Sequence, residues 1–547
     1  MIFDIKELDL YLKDAKSLTS KGKLSEAIQI YRSAIELKPD DAKLYHYLGD
    51  ALARYKQTEE AISCFRKAID IDSNFFSSYH RLGEVLQSKG CYDEAISSYS
   101  NAIELNPNNF RSHFNLGRVF AHKSQWSKAV ASYTKAIAIN QSDAMVYHYL
   151  GEALTGLKEY KKAIACFKNA VELDSNLAMA HHRLGDVLQS QGYIDEAIIY
   201  YSRAIELNSD NFWSYFNLGA ALDKKERNSE AIQCYQKAIE LNPNFAEAHC
   251  NLGYALTRQG QLKQAINSYR NSSREYILAS YPELVNQSLN LETLCEPNFI
   301  IIGSMKAGTT SLYNYISQHP HFLPCIRKEI DFFSIRYDKG IDWYLAHFPK
   351  VPKESNFFTG EASTSYLDYP KVPQRLYQHF PDVKLIAILR NPVERAFSHY
   401  HHKKKYHPGK EQRSFEEAIG EEMNFLEQLE NPILQAYSNT DDPFGHLRSG
   451  YLLRGLYIYF IQQWIDLFPK EQIKIFKSEE FYDNPEAVMK QVFEFLEVSD
   501  HQLASYPQYN SGSYSPISDK VRQKLSDFFH VHNQKLENYL NIELGWQ

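Results

Sequence analysis

Through the first half of the chain, apolar positions recur at helical spacing, and the whole pattern returns every 34 residues. Leu-Gly pairs stand at Leu48-Gly49, Leu82-Gly83, Leu116-Gly117, Leu150-Gly151, Leu184-Gly185, Leu218-Gly219 and Leu252-Gly253. Twelve residues after each Gly comes an Ala, from Ala61 to Ala265, and four residues later an aromatic ring, from Phe65 to Tyr269. An earlier unit around Ala27, Tyr31 and Ala34 keeps the rhythm with Ala15 in the glycine's place. The pattern predicts about eight pairs of antiparallel helices over residues 8–279. Each pair buries its apolar face only by stacking on its neighbours, so the array is a solenoid. A longer period of 102 is visible too, since YHYLGDAL at 45–52 returns as YHYLGEAL at 147–154. The rhythm is lost over 280–296, which is expected to be a linker or capping helix. From Pro297 the pattern changes again. Short apolar runs at 299–302 and 385–389 read as buried strands alternating with helical stretches, the signature of an α/β domain with a parallel sheet over 297–547.

Composition narrows the function classes. At 547 residues the chain exceeds one hydrophobic core, so several domains are expected. No run reaches the ~18 apolar residues of a membrane span. The first residues lack the basic and apolar regions of a secretory signal, and a cytoplasmic location is the expectation. The seven cysteines form no CxxC or Cys/His zinc spacing, so reduced thiols and no metal are expected. A formal charge of −7 excludes the basic excess of a nucleic-acid binder, and any anion recognition must be local.

The chemistry concentrates in two stretches of the second half. In PNFIIIGSMKAGTTSLYNYI (297–316) an apolar strand leads through a loop bracketed by Gly303 and Gly308 into a helix opened by Thr309, Thr310 and Ser311. That order builds an anion site at a helix N-terminus. A Walker loop has Lys directly after its second Gly; here Lys306 lies inside the loop, so the site suits a phosphate but not ATP's γ-phosphate. In KLIAILRNPVERAFSHY (384–400), Arg390 leaves the carboxyl end of a buried strand, and Asn391-Pro392 turns into a helix carrying Ser398. Ligands bind at the carboxyl ends of parallel strands. Two phosphate sites on one sheet edge therefore imply a nucleotide with phosphates at both ends of its ribose.

These motifs carry two resemblances. The repeats resemble tetratricopeptide (TPR) repeats, and by that resemblance the column His46, His80, Phe114, His148, His182, Phe216 and Cys250 faces a concave groove able to hold a protein partner or steer an acceptor. From Pro297 onward the chain resembles sulfotransferases that use 3′-phosphoadenosine 5′-phosphosulfate, above all the heparan sulfate N- and 3-O-sulfotransferase group. The resemblance implies that Lys306, Ala307, Gly308, Thr309, Thr310 and Ser311 hold the 5′-phosphosulfate, and that Arg390 and Ser398 hold the 3′-phosphate. KEIDFF implies Glu329 as the catalytic base, with Lys306 stabilising the leaving phosphate. Gly512, in NSGSYSP, is expected to let backbone approach the nucleotide, although the basic residues of the family's loop are missing. Glu361 and His402 are candidate substrate contacts; in GEASTSYL, Ala362 stands where the heparan enzymes have Lys. The run from His399 to Lys405 reads as a solvated basic face, and 414–450 as a lid over the acceptor cleft. The expected acceptor is a glycan, peptide or small molecule. A non-catalytic TPR scaffold with a nucleotide-binding domain and a protein-tyrosine sulfotransferase stay open as alternatives.

Overall fold

The computed structural model describes residues 8–281, 296–350, 356–407, 409, 411–428, 450–509 and 516–546. The chain divides into two compact units, Met1–Leu241 and Asn242–Gln547.

The first unit is helical throughout its described residues. Seven helix pairs run from α1 (Leu8–Ser20) to α14 (Asn228–Leu241), and include α7 (Phe110–His122), α8 (Trp126–Ile139) and α9 (Ala144–Gly156). The Leu-Gly signature has a direct steric cause. A Cβ on Gly83 would meet Tyr99 Cε1 at 2.7 Å, and one on Gly117 would meet Tyr133 Cε1 at 2.6 Å. The ring of each second helix thus lies flat on the glycine of the first. Ala61, Ala95, Ala129, Ala163 and Ala197 are fully buried, as the close helix approach requires.

The histidine column departs from the groove expectation. His80 and His182 are buried, and the Nδ1 atoms of His46, His80 and His182 meet the hydroxyls of Ser78, Ser112 and Ser214 in the following repeats at 3.0, 2.9 and 2.9 Å. They join repeat to repeat, and His148 and His182 also line a cavity with Trp213 and Asn217. Burial holds the His46 imidazole down at about 4, so it remains neutral at physiological pH.

The second unit opens with α15 (Ala246–Arg258) and α16 (Leu262–Ser280), followed by a four-stranded parallel sheet. Its strands are β1 (Phe299–Gly303), β2 (Gly360–Ala362), β3 (Lys384–Leu389) and β4 (Ile473–Lys477), in the order β2-β1-β3-β4. β1 is buried along its whole length, as a central strand covered on both faces should be. α17 (Thr309–Ile316) follows β1, and α18 (Val372–His379) precedes β3. α19 (Pro392–Tyr406) follows β3, capped by the Asn391 side chain, which accepts from the Val393 N–H at 2.9 Å. α20 (Phe415–Leu426), α21 (Tyr457–Ile465), α22 (Pro485–Leu496) and α23 (Asp519–Leu540) complete the unit. The strand order switches sides at β1, with β2 on one flank and β3 on the other, which puts a switch-point crevice at the carboxyl ends of β1 and β3.

The last helix pair is built into this unit. Trp343, 1% exposed, donates its indole N–H to Thr257 Oγ1 at 2.9 Å. The His347 ring lies 4.2 Å from that of Tyr269, and the Arg327 guanidinium sits 4.7 Å above the Tyr254 ring. No helix among the described residues is long and apolar enough to cross a membrane.

Candidate functional site

A cavity of about 630 Å³ lies at the carboxyl edge of the sheet, and every strand contributes to it. Lys306, Gly308, Thr309 and Thr310 follow β1, Thr364 follows β2, Arg390 follows β3, and Ser478 with Glu479 follows β4. Ser398 and His402 reach it from α19, and Glu329 from the segment between α17 and β2. The two motifs of the sequence, 84 residues apart at Lys306 and Arg390, are joined directly: Arg390 Nη1 donates to the Lys306 carbonyl at 3.1 Å. Tyr457, buried, donates to the Arg390 carbonyl at 2.9 Å and fixes the other end of that turn.

Electrostatics follow from this geometry. Burial, with Arg390 beside it, holds the Lys306 ammonium below the usual lysine range, while Glu329 acts in the opposite sense. A cation withdrawn from water acts more strongly on a ligand charge than a solvated one. Burial and the Lys306 charge likewise lower His402. Glu329 is 46% exposed on its side chain and pairs with Lys328 Nζ at 2.8 Å; the same ammonium donates to Thr310 Oγ1 at 3.2 Å.

The turn carrying Glu329 is held from beneath by β2 and the residues after it. The Glu329 N–H donates to the Ala362 carbonyl at 3.1 Å, Ile330 N–H to Glu361 Oε2 at 3.4 Å, and Asp331 N–H to Ser363 Oγ at 3.0 Å. Glu329 and Asp331 both adopt left-handed backbone angles, with φ of 65° and 55°. Such residues persist where surrounding structure over-determines them, and functional sites are where they cluster.

Most of the expected residues come together here, with four exceptions. Ala307 and Ser311 are fully buried behind the loop; Ser311 Oγ accepts from the Tyr509 N–H at 3.3 Å. Glu361, expected to touch substrate, is instead fully buried, and all its contacts are with protein: Tyr344 and Tyr366 hydroxyls at 2.9 Å each, and Ser363 Oγ at 2.6 Å. It supports the Glu329 turn from below. Gly512 lies outside the described residues, as does 429–449 of the expected lid. His399 is 8% exposed with its ring against Tyr451, so the expected basic face of α19 turns one histidine inward.

Other lining residues escaped the sequence reading. Tyr482, Tyr509 and Glu479 border the cavity, and a Cβ on Gly308 would stand 2.9 Å from Tyr482 Oη. Gly308, at φ 112°, is required by its backbone angle, and the Tyr482 hydroxyl packs close against it. Ser478-Glu479 follows a strand at the same edge, so the edge rule applied to β4 finds it. Tyr509 comes from an irregular segment that no local pattern marks.

The cavity's donor set fits a nucleotide carrying separated phosphates. It offers two cations, the hydroxyls of Thr309, Thr310 and Ser398, and a helix N-terminus whose first N–H groups lack intrahelical partners. Residues 296–527 match the model of the sulfotransferase domain. Residues 15–55 match a TPR repeat, 42–75 a tetratricopeptide repeat, and 72–283 the C-terminal domain of cilia and flagella-associated protein 70. The chain is a tetratricopeptide-repeat protein with a C-terminal sulfotransferase domain.

Relatives of the sulfotransferase domain include the membrane-associated sulfotransferase kil1 of Dictyostelium discoideum, 29% identical over 46% of this chain and 67% of its own. The human bifunctional heparan sulfate N-deacetylase/N-sulfotransferase 2 is 30% identical over 46% of this chain, which spans only 30% of that enzyme's length. Among solved structures, a sulfotransferase from Alicyclobacillus acidocaldarius is 31% identical, with 46% of this chain and 98% of its own covered at a TM-score of 0.38.

Proposed function

We propose that the sulfotransferase domain moves a sulfuryl group from 3′-phosphoadenosine 5′-phosphosulfate to a hydroxyl or amine, with a glycan as the first acceptor to test. The observation that carries this reading is the convergence of Lys306, Glu329, Arg390 and Ser398 on one cavity. Lys306, Gly308, Thr309 and Thr310 would hold the 5′ end of the donor, and Arg390 with Ser398 its 3′-phosphate. When bound, the donor supplies an activated sulfuryl group. Glu329 would accept the proton that the acceptor's hydroxyl or amine gives up, and its partial exposure leaves room for an acceptor beside it. Lys306, already desolvated, would stabilise negative charge at the 5′ end without reorganisation. The TPR array would serve as a holding surface for acceptor or partner protein.

Two measurements test the reading. Calorimetry should detect binding of 3′-phosphoadenosine 5′-phosphate; its absence would remove the donor assignment. Glu329→Gln should retain that binding while sulfate transfer falls by about 10²–10⁴, the range for general-base catalysis. Transfer at the parent rate would show that Glu329 is not the base.

A further inference from the structure

Within the first unit, repeat symmetry supplies an internal control, and three positions in the middle of the array break it together. Tyr99, Tyr235 and Tyr269 each engage a polar side chain twelve residues earlier, Gln87 at 2.9 Å, Asp223 at 3.1 Å and Thr257 at 3.0 Å. For Tyr133 that position is Ala121, and the Tyr133 hydroxyl, on a residue 0% exposed, has no hydrogen-bond partner. Of the four histidines of the column, His148 alone lacks the link to a serine of the next repeat. Thirty-two residues after His148 stands Ala180, and His148 Nδ1 is unpartnered.

The third break reverses a charge. The residue after the first five Leu-Gly pairs is Asp50, Glu84, Arg118, Glu152 and Asp186 in turn, and Ala220 and Tyr254 follow the last two. Arginines bridge the acids along this column: Arg81 pairs with Asp50 and Glu84, and Arg183 with Glu152 at 3.0 Å and Asp186 at 3.3 Å. Arg118, among the described residues, makes no ion pair or hydrogen bond. Its guanidinium lies 5.6 Å above the Tyr149 ring.

Two of these departures, at Tyr133 with Ala121 and at Arg118, border one cavity of about 600 Å³, whose wall also includes Trp126, Tyr149 and Phe167. Its volume is that of a small-molecule site, and its walls are aromatic. Glu152 and Asp186 also border it, and the single Arg183 guanidinium pairs with both, so the wall's two cations and two carboxylates balance. Among the described residues of the wall, Arg118 is the charged group outside that ion-pair set, and the Tyr133 hydroxyl has no hydrogen-bond partner. A buried polar group without a partner is destabilising, and the neighbouring repeats show that a single side chain supplies one.

We propose that this cavity binds a flat aromatic body bearing a single oxyanion, carboxylate or sulfate, with the anion on Arg118 and the ring among Trp126, Tyr149 and Phe167. The group can arrive as a free small molecule or on the side chain of a peptide. The site is separate from the nucleotide cavity and does not depend on the sulfotransfer reading.

Naphthalene-2-sulfonate is the probe, titrated into the full chain by calorimetry with 3′-phosphoadenosine 5′-phosphate saturating the catalytic cavity. It should bind, whereas methanesulfonate and 2-naphthalenemethanol, which carry the anion or the ring alone, should bind at least about tenfold more weakly. Ala121→Gln restores the partner that Gln87 gives Tyr99, and Arg118→Glu restores the acidic column. Both bring the sequence closer to its own repeats, so the array should keep its circular dichroism and melting temperature while probe affinity falls about tenfold or more. A pentapeptide with one O-sulfotyrosine separates the sources: tighter binding than the naphthalene assigns a peptide, weaker binding a free molecule. No binding of the probe at about millimolar concentration, equal binding of methanesulfonate, or unchanged affinity in both variants would overturn the proposal.

Discussion

Glu361→Gln should change the stability of the second unit by an amount that depends on pH. The Glu361 carboxyl is 0% exposed, and burial pushes it up to about 7 from an ordinary 4.5 despite hydroxyl donors from Ser363, Tyr344 and Tyr366. In the unfolded chain the group ionises near 4.5; in the folded one it holds its proton to about 7. Its contribution to stability is therefore fully present below pH 4.5 and is lost as pH rises through 7. At about 1.4 kcal/mol per unit, the interval amounts to roughly 3 kcal/mol. Glutamine cannot titrate, so the variant escapes this loss. It also replaces one acceptor oxygen by an amide donor among groups that all donate to Glu361, a mismatch present at every pH.

Urea denaturation of parent and variant at pH 5 and pH 8 isolates the effect, because every other group is common to both. The substitution should cost roughly 2–3 kcal/mol less at pH 8 than at pH 5. A difference independent of pH would refute the claim that this carboxyl is neutral in the folded state at low pH. The same substitution should disturb the turn that Ile330 N–H anchors, so turnover should fall while 3′-phosphoadenosine 5′-phosphate binds as before.

Three further outcomes follow from the geometry. Arg390→Ala should abolish the preference for a 3′-phosphorylated donor over adenosine 5′-phosphosulfate, and an unchanged preference in competition calorimetry would exclude Arg390 from that role. Gly83→Ala forces a methyl to 2.7 Å from Tyr99 Cε1 and should destabilise the array by about 1–3 kcal/mol in thermal unfolding; no loss would mean the ring shifts freely. A chain beginning at residue 242 should keep the sulfotransferase domain folded, whereas one beginning at 296 strips the cover from Trp343 and His347 and should melt several degrees lower. Equal melting temperatures would show the last repeat to be dispensable.

What the sequence made legible has a common physical basis: local backbone or steric demands. The Leu-Gly rhythm is readable because a ring lies on every one of those glycines, so no side chain is tolerated there. The loops of the sheet-edge cavity are readable because a strand, a tight loop and a helix N-terminus must follow one another along the chain. The burial of Glu361 is not legible, because a glutamate in a three-residue strand gives no local sign of which face it occupies. Its burial is set by Tyr344 and Tyr366, 17 residues before it and 5 after.

The union of the last repeat with the catalytic unit was hidden for a different reason: periodicity describes that repeat as equal to the others. The difference stood in the acidic column, where Tyr254 occupies the position of Asp50, Glu84, Glu152 and Asp186, and that ring is the one on which Arg327, two residues before Glu329, is stacked. Arg118 breaks the same column and borders the aromatic cavity. In a repeat array the consensus residues hold the solenoid together and are used up in doing so. The residues free to meet something else are those that fail to repeat, and at position 254 the structure shows what one of them meets.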